Sequence, residues 1–404
     1  MSRNCLFPFS NLTVLPNGSV LPCCKYNIKN GNPNISDLTL YDNNIEELFF
    51  QPAMENIRDK FRKGEEPTEC SLCWEEEASG ITSLREHKNN IAKWDVPRLQ
   101  NTFEHPQISS MDFKFSSLCN LKCRICGPYC SSNWLKEAQD TGLFHEHTIQ
   151  IFSKYAERKF INNETNFEIF KKLIPHLYLI EFHGGEPLMQ PEHSKIMDIL
   201  NNYPHISDFR LHLLYNTNGT VYDELAVEAW NKLEKVELNF SIDDLGDRFE
   251  YERFLAKWPE VLSNIQKYKE NCRDSVCMNL CCTVSLYNIF YVDELIKFNK
   301  DHLQLPIRFN LLHWPSKMSI KNLPSNVKEI IRTKISLLDN DSKKYIDPLF
   351  DIEGVLSYML DNQQDVNEFN EFFTTTAIHD DYRKQSFKDT FSEYYNLLEC
   401  NNIN

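Results

Sequence analysis

The sequence predicts an α/β fold: a partial barrel of about six strand–helix repeats, with a small cysteine-rich segment before it and a helical extension after it. Three observations predict this. From about Ser109, short apolar runs alternate with helical patterns, and such alternation gives a parallel sheet with helical crossovers. Ahead of it, residues 1–105 are broken by Pro8, Pro16, Gly18, Pro22, the run Asn30-Gly31-Asn32-Pro33-Asn34 and Gly64, and they carry Cys5, Cys23, Cys24, Cys70 and Cys73. Beyond about Leu323 the strand pattern stops. The expected domains are 1–105, 106–320 and 321–404.

The first segment begins with a hairpin, Leu12–Leu15 and Ser19–Leu21, turning at Pro16-Asn17-Gly18. Helices are expected over Ile45–Arg62 and Cys73–Lys88. The barrel strands are Ser110–Phe115, Tyr178–His183, Arg210–Asn216, Lys235–Ser241, Met278–Val284 and Ile307–Leu312. Between them fall the helical stretches Asn166–Ile174, Pro191–Asn201, Glu224–Leu233, Tyr251–Cys272 and Val292–Asn299. The extension reads as amphipathic helices at Ser325–Leu338 and Ile352–Asp361, then an aromatic, charged helix at Tyr382–Glu399.

Composition excludes several classes. The chain has 404 residues, of which 41% are hydrophobic and 25% charged, so a core forms and global disorder is excluded. No apolar run reaches the roughly 18–20 residues of a membrane span, and Met1–Ser10 lacks a secretory apolar region. A net charge of −15 disfavours direct nucleic-acid binding, which needs surplus Lys and Arg. The 14 cysteines, in a reducing cytoplasmic compartment, point to metal binding or catalysis. Glycine is scarce at 11 residues, where about 7% is usual, yet Gly18, Gly127, Gly184, Gly185 and Gly219 fall inside the motifs below.

Cys119, Cys123 and Cys126 have the spacing C-x3-C-x2-C directly after the first barrel strand. Three thiolates on one loop hold three irons of a [4Fe–4S] cluster and leave the fourth open. Structural zinc prefers a fourth protein ligand and paired knuckles. About sixty residues later comes Gly184-Gly185-Glu186-Pro187 at a strand end, then Asn216-Thr217-Asn218-Gly219, then Ser241-Ile242-Asp243 with Arg253 beyond.

In this order the segments resemble the radical S-adenosylmethionine (radical SAM) superfamily, with Ile125 standing where an aromatic or bulky apolar residue is usual. The resemblance implies a partial (β/α)6 radical SAM barrel. It implies that Cys119, Cys123 and Cys126 ligate a catalytic [4Fe–4S] cluster whose open iron is chelated by S-adenosyl-L-methionine. It also implies cofactor-binding positions at Gly184, Gly185, Glu186, Pro187, Asn216, Asn218, Ser241, Asp243 and Arg253. The glycine pair is to meet the cofactor's amino group, and the serine and arginine its ribose and carboxylate. A valine at Gly185 is then expected to weaken cofactor binding while iron stays near normal.

The N-terminal spacing Cys5-x12-Gly18-x4-Cys23, followed by Cys70-x2-Cys73, admits zinc or a fully ligated cluster on spacing alone. It is similar to the twitch module, a short form of the SPASM auxiliary-cluster domain, which implies a second [4Fe–4S] cluster on Cys5, Cys23, Cys70 and Cys73. Relatives often carry that module after the barrel; here it precedes it. Cys24 is the alternate to Cys23. Cys272, Cys277, Cys281 and Cys282 are expected to be ordinary cysteines, because neighbours in a strand point to opposite faces. Cys130, His183, Asn288 and His313 are further residues near the expected site.

The expected protein is therefore a radical SAM enzyme that starts chemistry by hydrogen abstraction. Its expected partners are a flavodoxin- or ferredoxin-type electron donor and a peptide or protein substrate. A small sugar or nucleotide is the alternative substrate, and a non-catalytic Fe–S or zinc protein is the rival from another class.

Overall fold

In a computed structural model of the protein, residues 4–26, 35–78, 82–94, 102–157, 164–361 and 363–399 are described. The run Asn30–Asn34, and the middle of the helix expected over Cys73–Lys88, lie outside them. Eight strands form one sheet: β1 Asn11–Val14, β2 Val20–Leu21, β3 Ser110–Phe113, β4 Leu179–Phe182, β5 His212–Thr217, β6 Lys235–Ser241, β7 Val276–Val284 and β8 Ile307–Leu311. Their order is β2-β1-β3-β4-β5-β6-β7-β8. The six strands β3–β8 are all parallel neighbours, as the strand–helix alternation predicts.

The N-terminal hairpin belongs to this sheet. β1 pairs antiparallel with β2 and parallel with β3, in the register Asn11↔Ser110 to Val14↔Phe113. The sheet thus crosses the expected 105/106 boundary, and the hairpin between Cys5 and Cys23 is fixed to the first barrel strand by the β1–β3 backbone ladder.

The two faces of the sheet differ. Ile180, Phe182, Leu213, Tyr215, Val236, Leu238 and Phe240 are fully buried. Each contributes roughly 1.5–3 kcal/mol by leaving water. The alternate positions Glu181, Asn216, Glu237 and Asn239 are polar, so the opposite face is built for a polar occupant.

Two helices are shorter than their apolar periodicity suggests. Ile45–Arg62 is split into Ile45–Phe49, closed by an Asn44–Glu47 capping box, and Pro52–Arg62; proline suits a first turn but not a helix interior. Tyr251–Cys272 is split into Gly246–Glu252 and Trp258–Asn271. The break exposes the backbone of residues 253–257 for other pairings and places Arg253 at a helix end.

The extension is helical: Ser325–Ser336, Ile352–Asp361, Val366–Arg383, Phe387–Thr390 and Ser392–Glu399. One β-bridge, Ile307 to Ile346, ties it to β8. Its aromatic residues are a packing face. Phe290 stacks on Tyr394 at 5.0 Å, Tyr287 meets Phe372 at 4.9 Å, and Tyr251 meets Phe391 at 5.2 Å. Among the described residues no helix is long and apolar enough to cross a membrane.

Candidate active site

The chain leaves β3 over a stack of Phe113, Phe115 and Phe182 and enters the loop that carries Cys119, Cys123 and Cys126. This loop is held by backbone bonds to the helix break: Lys122 N donates to Phe254 O at 3.0 Å and Arg124 N to Glu252 O at 2.8 Å. Trp134 Nε1 donates to Cys123 O at 3.1 Å, and Ser131 Oγ to Leu121 O at 2.6 Å. Burial pushes the Cys119 thiol up to about 12. The Cys123 thiol is raised by its bond to Cys126 and by burial. Buried thiols of this kind stay protonated unless a nearby positive charge, such as Arg253 or a metal centre, stabilises the thiolate.

The glycine pair lies against this loop. Gly184 has φ +100, and a Cβ there would stand 3.2 Å from Ser116 O. A Cβ on Gly185 would sit 2.1 Å from Leu118 O and 2.6 Å from Leu118 C, the backbone just before Cys119. Glu186 N donates to Leu118 O at 2.8 Å. Its carboxylate turns into the protein, accepting from Thr217 Oγ1 at 2.7 Å, Asn218 N at 2.8 Å and Leu188 N at 3.3 Å. Burial raises its pKa to about 7. Glu186 thus locks the end of β4 to the end of β5, and Pro187 starts the buried turn that follows.

From β5, Asn218 Nδ2 donates to Asn120 Oδ1 at 3.0 Å and lies 3.8 Å from Cys119 Sγ. Asn216 is exposed on the polar face and bonds His183 Nδ1 at 2.9 Å. At the end of β6, Ser241 is half-buried. Asp243 accepts from Thr283 N at 2.9 Å and pairs with Arg253 Nη2 at 2.7 Å. Arg253 Nη1 lies 3.9 Å from Cys123 Sγ. Its buried Nε–H has no hydrogen-bond partner among the described residues, which leaves a donor for a ligand beside the cysteine loop.

Cys5, Cys23, Cys70 and Cys73 line one pocket together with Phe7, Tyr26, Phe61 and Arg85. Burial pushes the Cys5 thiol up to about 12. Cys24 is exposed and faces away, within electrostatic reach of Asp112, Lys114 and Glu181. Among the described residues no three His, Cys, Asp or Glu side chains stand close enough to share a single metal ion.

The structure also shows contacts that the motifs did not reveal, Gln190, Asp112 and Glu181 being residues outside the expected site. Gln190 Nε2 donates to Leu118 O at 2.9 Å while its Oε1 accepts from Ser116 Oγ at 2.6 Å, bracing the cysteine loop from below. On the polar face His183 Nε2 meets Glu181 Oε2 at 3.1 Å and stands 3.9 Å from Asp112 Oδ1. Burial opposes its protonation, but Glu181 and Asp112 hold the His183 pKa above its usual value. A charged residue inside an apolar strand run, such as Asp112 or Glu181, was the available signal. Asn288 bonds Glu252 and Thr283, and His313 packs edge-on to Tyr358. Cys281 Sγ accepts from Asn310 while Cys282 Sγ contacts Asp243 O, so the two thiols diverge.

The radical SAM superfamily pattern matches residues 113–298, and the SPASM iron–sulfur cluster-binding domain matches residues 5–74. The chain carries a radical SAM domain and an SPASM domain. Its radical SAM domain takes a [4Fe–4S] cluster and S-adenosylmethionine, and its SPASM domain takes auxiliary iron–sulfur. Among curated proteins, GTP 3′,8-cyclase of Syntrophomonas wolfei subsp. wolfei is 24% identical over 262 residues, covering 61% of this chain and 70% of that protein. Among solved structures, native anSMEcpe with bound AdoMet is 18% identical over 56% of this chain and 59% of that one, with a TM-score of 0.39. SuiB of Streptococcus suis, bound to precursor peptide SuiA, is 12% identical over 72% of this chain and 60% of that one, with a TM-score of 0.40. The chain thus spans 59% and 60% of the length of those two solved chains.

For this radical SAM domain the Gly185 expectation changes. The first atoms a Cβ would meet are the Leu118 backbone, so Gly185→Val displaces the cysteine loop itself, an overpacking cost of about 1–3 kcal/mol. Both iron content and S-adenosylmethionine affinity should fall in this variant. Normal iron, by metal analysis of the reconstituted protein, would show that the loop tolerates the side chain.

Proposed function

We propose that Cys119, Cys123 and Cys126 hold the catalytic [4Fe–4S] cluster, that Cys5, Cys23, Cys70 and Cys73 hold an auxiliary [4Fe–4S] cluster, and that the enzyme acts on a peptide or protein. One observation carries the catalytic assignment. The three-thiol loop, the close-packed glycine strand end and Arg253 with its free buried Nε–H stand around one point. These residues would hold the cluster and S-adenosylmethionine, which, given one electron from an external reductant, would supply hydrogen-atom abstraction from the substrate.

The chain's own residues orient these groups. Arg253, held by Asp243, offers the planar fork that suits the cofactor's carboxylate. Glu186 fixes the two strand ends, and Asn218 stands beside Cys119. Ser241, at the end of β6, is available to the ribose, and the backbone at Gly184 to the amino group. The polar face carrying Asp112, Glu181, His183 and Asn216 receives the substrate. Cys24 is left out of the auxiliary site because its thiol faces that polar surface.

A second substrate class, a small nucleotide or sugar, is favoured by the likeness to a protein described as GTP 3′,8-cyclase and by the polar face. A short peptide gene beside this one, as against a nucleotide or sugar pathway, separates the two. The reaction class is tested by anaerobic reconstitution with iron and sulfide, then dithionite and S-adenosylmethionine. 5′-Deoxyadenosine should form, and a flavodoxin or ferredoxin should replace dithionite. Full cluster content with no 5′-deoxyadenosine would favour a non-catalytic iron–sulfur protein.

A further inference from the structure

The helix Val366–Arg383 reaches the cysteine loop at two carboxylates, its own Asp380 and Glu137 of the helix Trp134–Thr141. Asp380 joins three segments. Its Oδ1 accepts from Arg124 Nη2 at 2.6 Å and from Tyr251 Oη at 2.7 Å, and its Oδ2 accepts from Phe387 N at 2.6 Å. Arg124 follows Cys123 directly. Its buried guanidinium lies 3.5 Å from the centre of the Tyr251 ring, its Nε donates to Tyr251 O at 3.1 Å, and its Nη2 also reaches Gln385 Oε1 at 3.0 Å.

The second carboxylate is Glu137, which is fully buried. It accepts from His379 Nδ1 at 2.9 Å and Arg383 Nε at 2.8 Å, and pairs with Lys122 Nζ at 3.0 Å. Burial alone would raise its pKa, but the bonds from His379 and the charge of Arg383 hold it at about 2. Lys122 and Arg124 flank Cys123, so both carboxylates act on the two residues either side of one thiol.

We infer that Asp380 and Glu137 are positioning residues for the catalytic cluster, and that the carboxy-terminal helix is part of the cofactor site. This rests on the assignment of Cys119, Cys123 and Cys126 above. Adhesion of the helix does not need these charges, because Tyr251, Tyr287, Phe372, Phe387 and Phe391 already pack the same interface. Buried ion pairs contribute little net stability compared with apolar packing, and fixing a register is their better attested use. The register fixed here is that of residues 122–124 against 252–254. Arg253 lies between those two backbone bonds, so the same register sets its distance from Cys123.

The test uses the full-length reconstituted protein. Iron content, thermal unfolding and the electron paramagnetic resonance spectrum of the reduced clusters, with and without S-adenosylmethionine, are compared for wild type, Asp380→Asn, Asp380→Glu and Glu137→Gln. Asp380→Asn and Glu137→Gln each leave a buried cation short of its counter-charge and should lower the unfolding temperature, but should keep both clusters' iron and stay folded. They should weaken S-adenosylmethionine affinity, read from the cofactor-induced spectral change, by about tenfold or more, the scale of one charged hydrogen bond. Asp380→Glu should restore part of it. A spectral response equal to wild type in both variants overturns the inference. No response in wild type itself would instead sink the cluster assignment. If Asp380→Asn yields no folded protein, Gln385→Ala removes a second partner of Arg124 more gently, and an unchanged affinity there overturns the inference equally. Asn370→Ala, on the exposed side of the same helix, should leave the spectrum and affinity unaltered; loss in that variant would mean that helix stability alone is being read.

Discussion

Replacing Cys119, Cys123 and Cys126 together with alanine should abolish 5′-deoxyadenosine formation and remove roughly half the iron, one cluster of two. The cause is local. The loop has no substitute donor set: Cys130 contacts Cys126, but one thiol cannot hold a cluster. The fold should survive, because the loop is fixed by groups other than the three thiols. Gln190, Ser131, Trp134 and the backbone of 252–254 make those bonds. Removing three buried thiols costs some packing, yet the stacked Phe113, Phe115 and Phe182 beneath are untouched. The check is iron, sulfide and 5′-deoxyadenosine on one preparation, with circular dichroism to confirm the fold. Residual 5′-deoxyadenosine in the triple variant would remove these residues from the reaction.

Much of this site was legible because its chemistry is local in sequence. A C-x3-C-x2-C run after a strand, two glycines at the next strand end, and Asn218 and Arg253 in their segments can all be read without knowing the fold. Their meeting follows from the parallel order β3-β4-β5-β6, which strand–helix alternation predicts. The reading was less complete where a residue's partner is distant. Gly185 reads as a ligand contact from its motif, but its close neighbour is Leu118, set by how tightly two strand ends approach. Glu186 reads as a cofactor-binding position from its motif, and its carboxylate is a buried tie between strands. Asp380 and Arg124 are 256 residues apart, and no periodicity announces such a pair. The hairpin's pairing with β3 was hidden for a similar reason: Asn11–Val14 is short, and only register with Ser110–Phe113 makes it a sheet strand.

That pairing shapes the second large expectation. Replacing Cys70 and Cys73 with alanine should stop substrate turnover while uncoupled S-adenosylmethionine cleavage continues, and iron should fall by up to roughly half. In the proposed arrangement four thiols close the auxiliary centre, leaving no open iron, so its work is electron transfer or support rather than cofactor cleavage. Cys5 and Cys23 flank β1 and β2, whereas Cys70 and Cys73 come from the turn at Thr68–Cys70 and the helix Ser71–Ala78. The second pair lies outside the sheet and is held by side-chain contacts, the Lys60–Glu69 and Lys25–Glu76 ion pairs among them. Phe61 against Trp74 and the Arg85–Glu77 pair add to them. Loss of the centre should therefore loosen residues 68–94 before it disturbs β1 and β3, whose backbone ladder does not depend on metal. Limited proteolysis of the double variant should cut first in that region and leave the barrel intact. Iron, sulfide and zinc should be measured in anaerobically isolated protein before and after the change. Stoichiometric zinc in the wild type, or unchanged iron in the double variant, would each end the auxiliary-cluster assignment. Loss of uncoupled cleavage would place the two centres in one cooperative unit, coupled through the β1–β3 ladder that joins the hairpin to the strand leading into Cys119.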